Sequence, residues 1–238
     1  MRGRIVGLGG WLKNSFIDFP RTVATVLFFN RCNLQCPYCH NGSLTTGLEN
    51  IEDQSEQIWK FLNNRKKTIK GVVLTGGEPT LFPKLATQIT EFKDIGYRVK
   101  LDTNGLNPQM INSFDPDYLA MDLKSDITSY REIMGSKLSF DAIKCNLEES
   151  LGIIKKMGDN AEVRVTIAPN ILDRSKIEEM KLMLDGCENI FIQPAKITED
   201  VLTPSFFLNK DRENNQDEMV KFAFEEFSEV VGRCKIRE

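Results

Sequence analysis

Residues 22–40 read TVATVLFFNRCNLQCPYCH. The first eight are almost all apolar and rich in β-branched side chains, the composition of a short strand buried on both faces. Three thiols follow at once: Cys32, Cys36 and Cys39 fall within eight residues. A buried strand that runs into a cluster of reactive side chains suits a parallel α/β fold, where ligands sit at the carboxyl ends of the strands.

The same pattern recurs downstream. Further strand candidates are residues 71–74, 97–101, 118–123, 161–167 and 189–193. Helical periodicity fills the gaps between them. Leu85, Ile89 and Phe92 share one helix face, as do Ile143, Leu147, Leu151 and Ile154, and as do Ile177, Met180 and Leu184. Ile58, Phe61 and Leu62 fit the same template, and Met219, Phe222, Phe227 and Val230 suggest a last helix. Strand and helix alternate about six times, which predicts an α/β fold with a parallel sheet and right-handed crossovers. Six units are too few for the usual eight-stranded barrel. Periodicity alone leaves an open sheet, a full barrel and a partial barrel in play. With no linker or low-complexity stretch, residues 1–238 read as one domain, with 199–238 as a C-terminal helical extension.

Polar and glycine signals gather just after the strands. The second strand runs into Thr75-Gly76-Gly77-Glu78-Pro79, the third into Asp102-Thr103-Asn104-Gly105, and the fourth ends at Asp122 and Lys124. On a parallel sheet these distant motifs would converge on one mouth.

Composition narrows the function classes. The 238 residues are 41% hydrophobic and 27% charged, an ordinary soluble balance. Net charge is −3, so the whole chain carries no basic footprint for nucleic acid. No run approaches the roughly 18 apolar residues of a membrane span, and the first seven residues lack a signal-peptide core. A cytoplasmic chain without membrane or nucleic-acid partners is expected, in which cysteines bind metal, react or are buried.

Four readings of the cysteine cluster compete. Chance packing is disfavoured, because buried cysteines usually occur singly. A structural zinc could use the three thiols with His40, the chain's single histidine, yet zinc sites usually pair two separated ligand knuckles. Cys36-Pro37-Tyr38-Cys39-His40 also matches the haem-attachment pattern CxxCH, which leaves Cys32 unexplained. In the fourth reading, three cysteines anchor an iron–sulfur cluster that needs four ligands, leaving one iron open to a small molecule.

The CxxxCxxC spacing with an aromatic before its last cysteine resembles the signature of the radical S-adenosylmethionine superfamily. Gly76-Gly77-Glu78-Pro79 resembles that superfamily's GGE motif. The resemblance implies a partial (β/α)6 barrel, a [4Fe-4S] cluster on Cys32, Cys36 and Cys39, and S-adenosylmethionine as cofactor. In that superfamily an electron from the cluster cleaves the sulfonium bond, giving methionine and a 5′-deoxyadenosyl radical. Within the superfamily, SFIDFP (residues 15–20), CNLQCPYCHN, TGGEPT, DTNG and MDLK together resemble the glycyl-radical-enzyme activases. They are most similar to the activating proteins of anaerobic ribonucleoside-triphosphate reductases. The likeness covers roughly residues 7–195.

Roles follow from the resemblance. Tyr38 would lie near the adenine. Gly76 and Gly77 would admit the methionyl group, and Glu78 would accept from its ammonium. Asp102 and Thr103 would sit by a monovalent cation at the cofactor carboxylate, with the Met121 carbonyl. Asp122 and Lys124 would reach the cation site and the ribose, and Arg164 the carboxylate. Asp18 would line the mouth where a partner's glycine loop enters. The partners implied are a glycyl radical enzyme, first of all anaerobic ribonucleoside-triphosphate reductase, and a flavodoxin- or ferredoxin-type electron donor. Two other readings are a radical enzyme of the deazapurine-forming synthase type and an iron–sulfur electron carrier. The carrier would have no use for an ammonium-binding GGE.

The cysteine reading makes a direct test. Cys32→Ala, Cys36→Ala and Cys39→Ala are each expected to abolish a reducible four-iron cluster after anaerobic reconstitution. Cys145→Ala, Cys187→Ala and Cys234→Ala should leave iron content and absorbance unchanged. Equal iron loss in both sets would refute the assignment.

Overall fold

β-branched, apolar runs that cannot face water on either side form the strands, and the amphipathic stretches between them form the helices. The computed structural model describes residues 3–168, 171–196, 198–207 and 211–237. Of the expected 199–238 extension, residues 208–210 and 238 lie outside the described residues, as do the first two residues of the N-terminal stretch read for a signal. In chain order the elements are β1 (Leu8–Ser15), β2 (Ala24–Phe29), α1 (Gly42–Thr45), α2 (Ser55–Arg65), β3 (Gly71–Gly76), α3 (Leu85–Asp94), β4 (Arg98–Thr103), α4 (Pro108–Phe114), β5 (Tyr118–Asp122), α5 (Ile127–Glu132), α6 (Phe140–Met157), β6 (Ala161–Ile167), α7 (Arg174–Leu184), β7 (Asn189–Pro194), α8 (Asp211–Ser228) and β8 (Arg233–Ile236). The sheet order is the sequence order, β1 to β8.

β2 to β7 are the six strands read from the sequence, each within two residues of its expected start. Two further strands flank them. β1 pairs antiparallel with β2, in a register that sets Leu8 opposite Phe29 and Ser15 opposite Ala24. β8 pairs parallel with β7. Neither has the apolar density of a central strand: β1 reads LGGWLKNS, and β8 is four residues, RCKI, with no buried member. Residues 199–238 therefore hold a strand as well as the helix α8. No helix among the described residues is long and apolar enough to cross a membrane.

The chain divides into two compact units. The first comprises Met1–Cys32, Ser43–Thr103 and Gln109–Leu119. In it β2, β3 and β4 pair in parallel, and the α3 stripe of Leu85, Ile89 and Phe92 is buried. Trp59 of α2 stacks on Phe92 with ring centroids 4.6 Å apart. Phe19 closes the amino-terminal end of this sheet: it packs with Ala24, Val26, Val73 and Tyr118, and the Arg98 guanidinium lies 5.0 Å from its ring. The second unit comprises Asn33–Gly42, Asn104–Pro108 and Ala120–Glu238. There β6, β7 and β8 pair in parallel, and α6 packs on β6 through Ile143, Leu147, Leu151 and Ile154. α8 lies against α7 and β7, burying Ala223 and Phe227.

The amino-terminal turn offers a paired test of packing. Phe19 is 1% exposed, whereas Phe16, three residues earlier, is 78% exposed. Phe19→Ala should cost about 3–5 kcal/mol in chemical denaturation, and Phe16→Ala within about 0.5 kcal/mol of nothing.

Candidate functional site

In the first unit the GGE motif is a backbone clamp. β3 ends at Gly76, and the next peptide groups turn across the end of β2. Gly77 N donates to the Phe29 carbonyl at 2.7 Å, and Glu78 N donates to the Arg31 carbonyl at 2.9 Å. A side chain on Gly77 would collide with the Arg31 carbonyl. One on Gly76, at φ +105°, would sit 2.7 Å from the Phe29 backbone. Both glycines are thus required by the approach of two protein backbones. Arg31 itself is left-handed at φ 63°, and its N–H donates to Leu44 O at 2.7 Å. The residue before Cys32 is fixed through both of its peptide groups.

Glu78 is buried and caps the 3-10 turn Pro79–Leu81. Its Oε1 accepts from Thr80 N at 3.1 Å, Thr80 Oγ1 at 2.7 Å and Thr103 Oγ1 at 2.9 Å. Asp102, its β4 neighbour, is ion-paired with the buried Lys100. Both sit on one face of the strand, two residues apart. Sequence reading passed over Lys100; a lysine inside an apolar strand, two residues before an aspartate, was the available signal.

In the second unit a different group gathers. Asp122, at the end of β5, receives the Arg164 guanidinium in bidentate fashion, Nε to Oδ1 at 2.7 Å and Nη2 to Oδ2 at 3.1 Å. Lys124 Nζ lies 3.1 Å from Asp122 Oδ2. Burial pushes the Asp122 carboxyl up, but Arg164 and then Lys124 outweigh it and hold the group well below the usual carboxylate range. Burial pulls the Lys124 ammonium down, but the Asp122 carboxylate outweighs it and leaves the group above its usual value. The buried Tyr130 hydroxyl accepts from Lys124 N at 2.9 Å. Burial pushes the Cys36 thiol up to about 11, opposed by Lys124, and raises the Cys39 thiol in the same way.

The cysteine loop is held on several sides within this unit. Cys39 N donates to Cys36 O at 2.9 Å, Gln35 N to Met134 O at 2.8 Å, and Asn104 Nδ2 to Asn33 Oδ1 at 2.7 Å. Gly105, at φ +80°, leaves room for the Met121 side chain. The Tyr38 ring is buried, with Phe206 at 6.3 Å between centroids. Its hydroxyl is buried and has no hydrogen-bond partner among the described residues.

Asp18 is placed elsewhere than the sequence reading set it. Because β1 is antiparallel to β2, Ser15 pairs with Ala24, the first residue of β2, whereas Cys32 follows the last. Asp18 therefore lies at the amino-terminal ends of the parallel strands, about one strand length (~17 Å) from the end that carries Cys32. Cys145 is exposed on α6, Cys187 is buried and Cys234 is half-buried on β8. No disulfide joins any of the six cysteines.

The donor chemistry fits an iron–sulfur cluster. Soft thiols are the usual anchors for iron–sulfur groups. Among the described residues no three His, Cys, Asp or Glu side chains surround a single point as a lone ion would require. The orphaned Tyr38 hydroxyl marks polar demand in the same loop.

The sequence profile of the Radical SAM superfamily matches residues 26–185. A Methanocaldococcus jannaschii protein, provisionally named a glycyl-radical enzyme activating enzyme, is 30% identical over 233 residues, 95% of either chain. The 7-carboxy-7-deazaguanine synthase of the same organism is 28% identical over 221 residues, 84% of either chain. Among solved structures, QueE from Escherichia coli superposes with a TM-score of 0.54 at 15% identity, over 97% of this chain and 92% of that one. The last is a likeness of fold.

The glycine clamp separates from ordinary helix chemistry by experiment. Gly77→Ala should destabilise the protein by about 1–3 kcal/mol, through forced movement of the Arg31 carbonyl, and should impair iron uptake. Gly152→Ala, inside α6 with open space around the new methyl, should stabilise by about 0.5–1 kcal/mol. Thermal melts and iron per chain read both.

Proposed function

The chain belongs to the Radical SAM superfamily, and from that premise we propose that it is an activase that installs a glycyl radical on a partner enzyme. Its cofactors are those of the family, a [4Fe-4S] cluster and S-adenosylmethionine. The observation that carries the activase reading is the end-to-end match, 30% identical over 95% of both chains, to a relative provisionally named as such an activator. The proposed partner is anaerobic ribonucleoside-triphosphate reductase, with a flavodoxin- or ferredoxin-type electron donor.

When bound, the cluster and S-adenosylmethionine supply the hydrogen-abstracting radical. The protein's own residues hold and orient. Cys32, Cys36 and Cys39 anchor the cluster. Glu78, its carboxylate pinned by Thr80 and Thr103, accepts from the cofactor ammonium. Arg164 and Lys124 set two cations against the single Asp122 carboxylate, and the surplus positive charge suits the cofactor carboxylate. Asp102 and Thr103 offer oxygen ligands to a monovalent cation. Tyr38 contributes to the adenine side. The clamp at Gly76 and Gly77 sets the approach of Cys32. With Asp18 at the far end of its sheet, the route of the partner's glycine loop is assigned to no residue.

A second reading, a synthase acting on a small deazapurine precursor, draws on the 28% identity to 7-carboxy-7-deazaguanine synthase. One experiment divides the two. The reconstituted protein is reduced anaerobically with S-adenosylmethionine and a glycyl radical enzyme. The activase predicts a doublet in electron paramagnetic resonance on the partner. It also predicts deuterium transfer into 5′-deoxyadenosine from a partner labelled at the glycine Cα. No transfer to any glycyl radical enzyme, together with turnover of a deazapurine precursor, would establish the synthase instead.

A further inference from the structure

Residues 198–206 carry no recognisable motif, yet they lie along the cysteine loop. Leu202 N donates to Cys39 O at 2.9 Å, Thr203 N to Pro37 O at 3.1 Å, and Gly42 N to Asp200 O at 2.8 Å. The two segments run in opposite senses: 37, 39 and 42 on the loop meet 203, 202 and 200 on the tail. Val201 is buried between its neighbours' contacts, and the half-buried Phe206 lies against the Tyr38 ring. The approach is close enough to dictate sequence. A methyl on Gly42 would stand 2.6 Å from the Asp200 carbonyl and 3.0 Å from Leu202.

The bonded groups are not scattered. Pro37 and Cys39 are the residues on either side of Tyr38, so both carbonyls flanking that residue are tied to the tail while its ring is held by Phe206. A loop that must present thiolates at fixed separations needs such restraint, because misplacement of even one ligand strains a rigid cluster. To the loop's own contacts, Cys39 to Cys36 and Gln35 to Met134, the tail adds bonds at Pro37, Cys39 and Gly42.

We infer that residues 198–206 form a positioning strap for the cluster loop, with Leu202, Thr203 and Phe206 as its working residues and Gly42 as the glycine that lets it close. This inference rests on the iron–sulfur reading for its functional meaning. The strap acts through Pro37, Tyr38 and Cys39, and none of its residues ligates iron or touches substrate.

The full-length protein tests it in two stages. In the protein without cluster, hydrogen exchange should show the Leu202, Thr203 and Gly42 amides protected; exchange at the rate of unstructured peptide would overturn the strap whatever the cofactor. After anaerobic reconstitution, Leu202→Pro removes one donor, and Gly42→Ala keeps every donor but forces the backbones apart. Phe206→Ala removes only the ring. Each should release iron to a chelator roughly 2- to 10-fold faster than wild type, which for Leu202→Pro is the worth of about one net hydrogen bond. Each should also weaken the change that S-adenosylmethionine produces in the paramagnetic signal of the reduced cluster. Thr203→Ser, which keeps its N–H, should match wild type in both. If Leu202→Pro does not fold, Gly42→Ala and Phe206→Ala decide. Wild-type release rates and cofactor response in all three would refute the strap while leaving the cluster intact. A wild-type protein that binds no cluster would instead refute the iron–sulfur reading.

Discussion

Two peptide hydrogen bonds, from Gly77 to Phe29 and from Glu78 to Arg31, fix the point where β2 becomes the cysteine segment. Much of the first unit's chemistry depends on them. They exclude any side chain at position 77 and hold Arg31 in a left-handed conformation that costs a non-glycine residue energy. They also bring Glu78 to the carboxyl end of β4, where Thr103 pins its carboxylate. A motif that reads as a cofactor cradle thus first serves to join two strand ends. The two roles agree, since the contact that admits no Cβ also sets Cys32 and Glu78 on one sheet end.

The second unit solves an electrostatic problem. Burying Arg164 and Lys124 without partners would be prohibitive. Asp122 offsets both, and the bidentate geometry with Arg164 makes the pairing specific. The set retains one positive charge in excess, and its Lys124 opposes the burial that pushes the Cys36 thiol up to about 11 without overcoming it. Cationic surroundings are the ordinary means of favouring thiolate over thiol.

The central strands were legible because each is a dense apolar run, and β6 was read to the residue. The three cysteines, the double glycine and Glu78 were legible because their spacing is dense and local. What escaped has a common physical cause. β1 and β8 lie at the sheet's ends and carry too little apolar density to register. Asp18 was misplaced because nearness in sequence to a strand does not give the end of the sheet it occupies; the antiparallel return of β1 decides that. The tail at 198–206 escaped because it bonds through peptide groups, which have no sequence signature. The Asp122–Arg164 pair joins residues 42 apart, and each had been read alone.

The short strand β8 has a consequence beyond its size. The tail that leaves β7 passes the cysteine loop, enters α8 against α7 and β7, and is then stitched back to β7 by β8. The segment beside the loop is therefore a closed span, tethered at both ends to the same strand, and not a dangling tail. Its closure cost is borne in part by four residues at the opposite extreme of the excursion. The far tether is shared between α8, whose Ala223 and Phe227 are buried, and the four residues of β8 that return to β7.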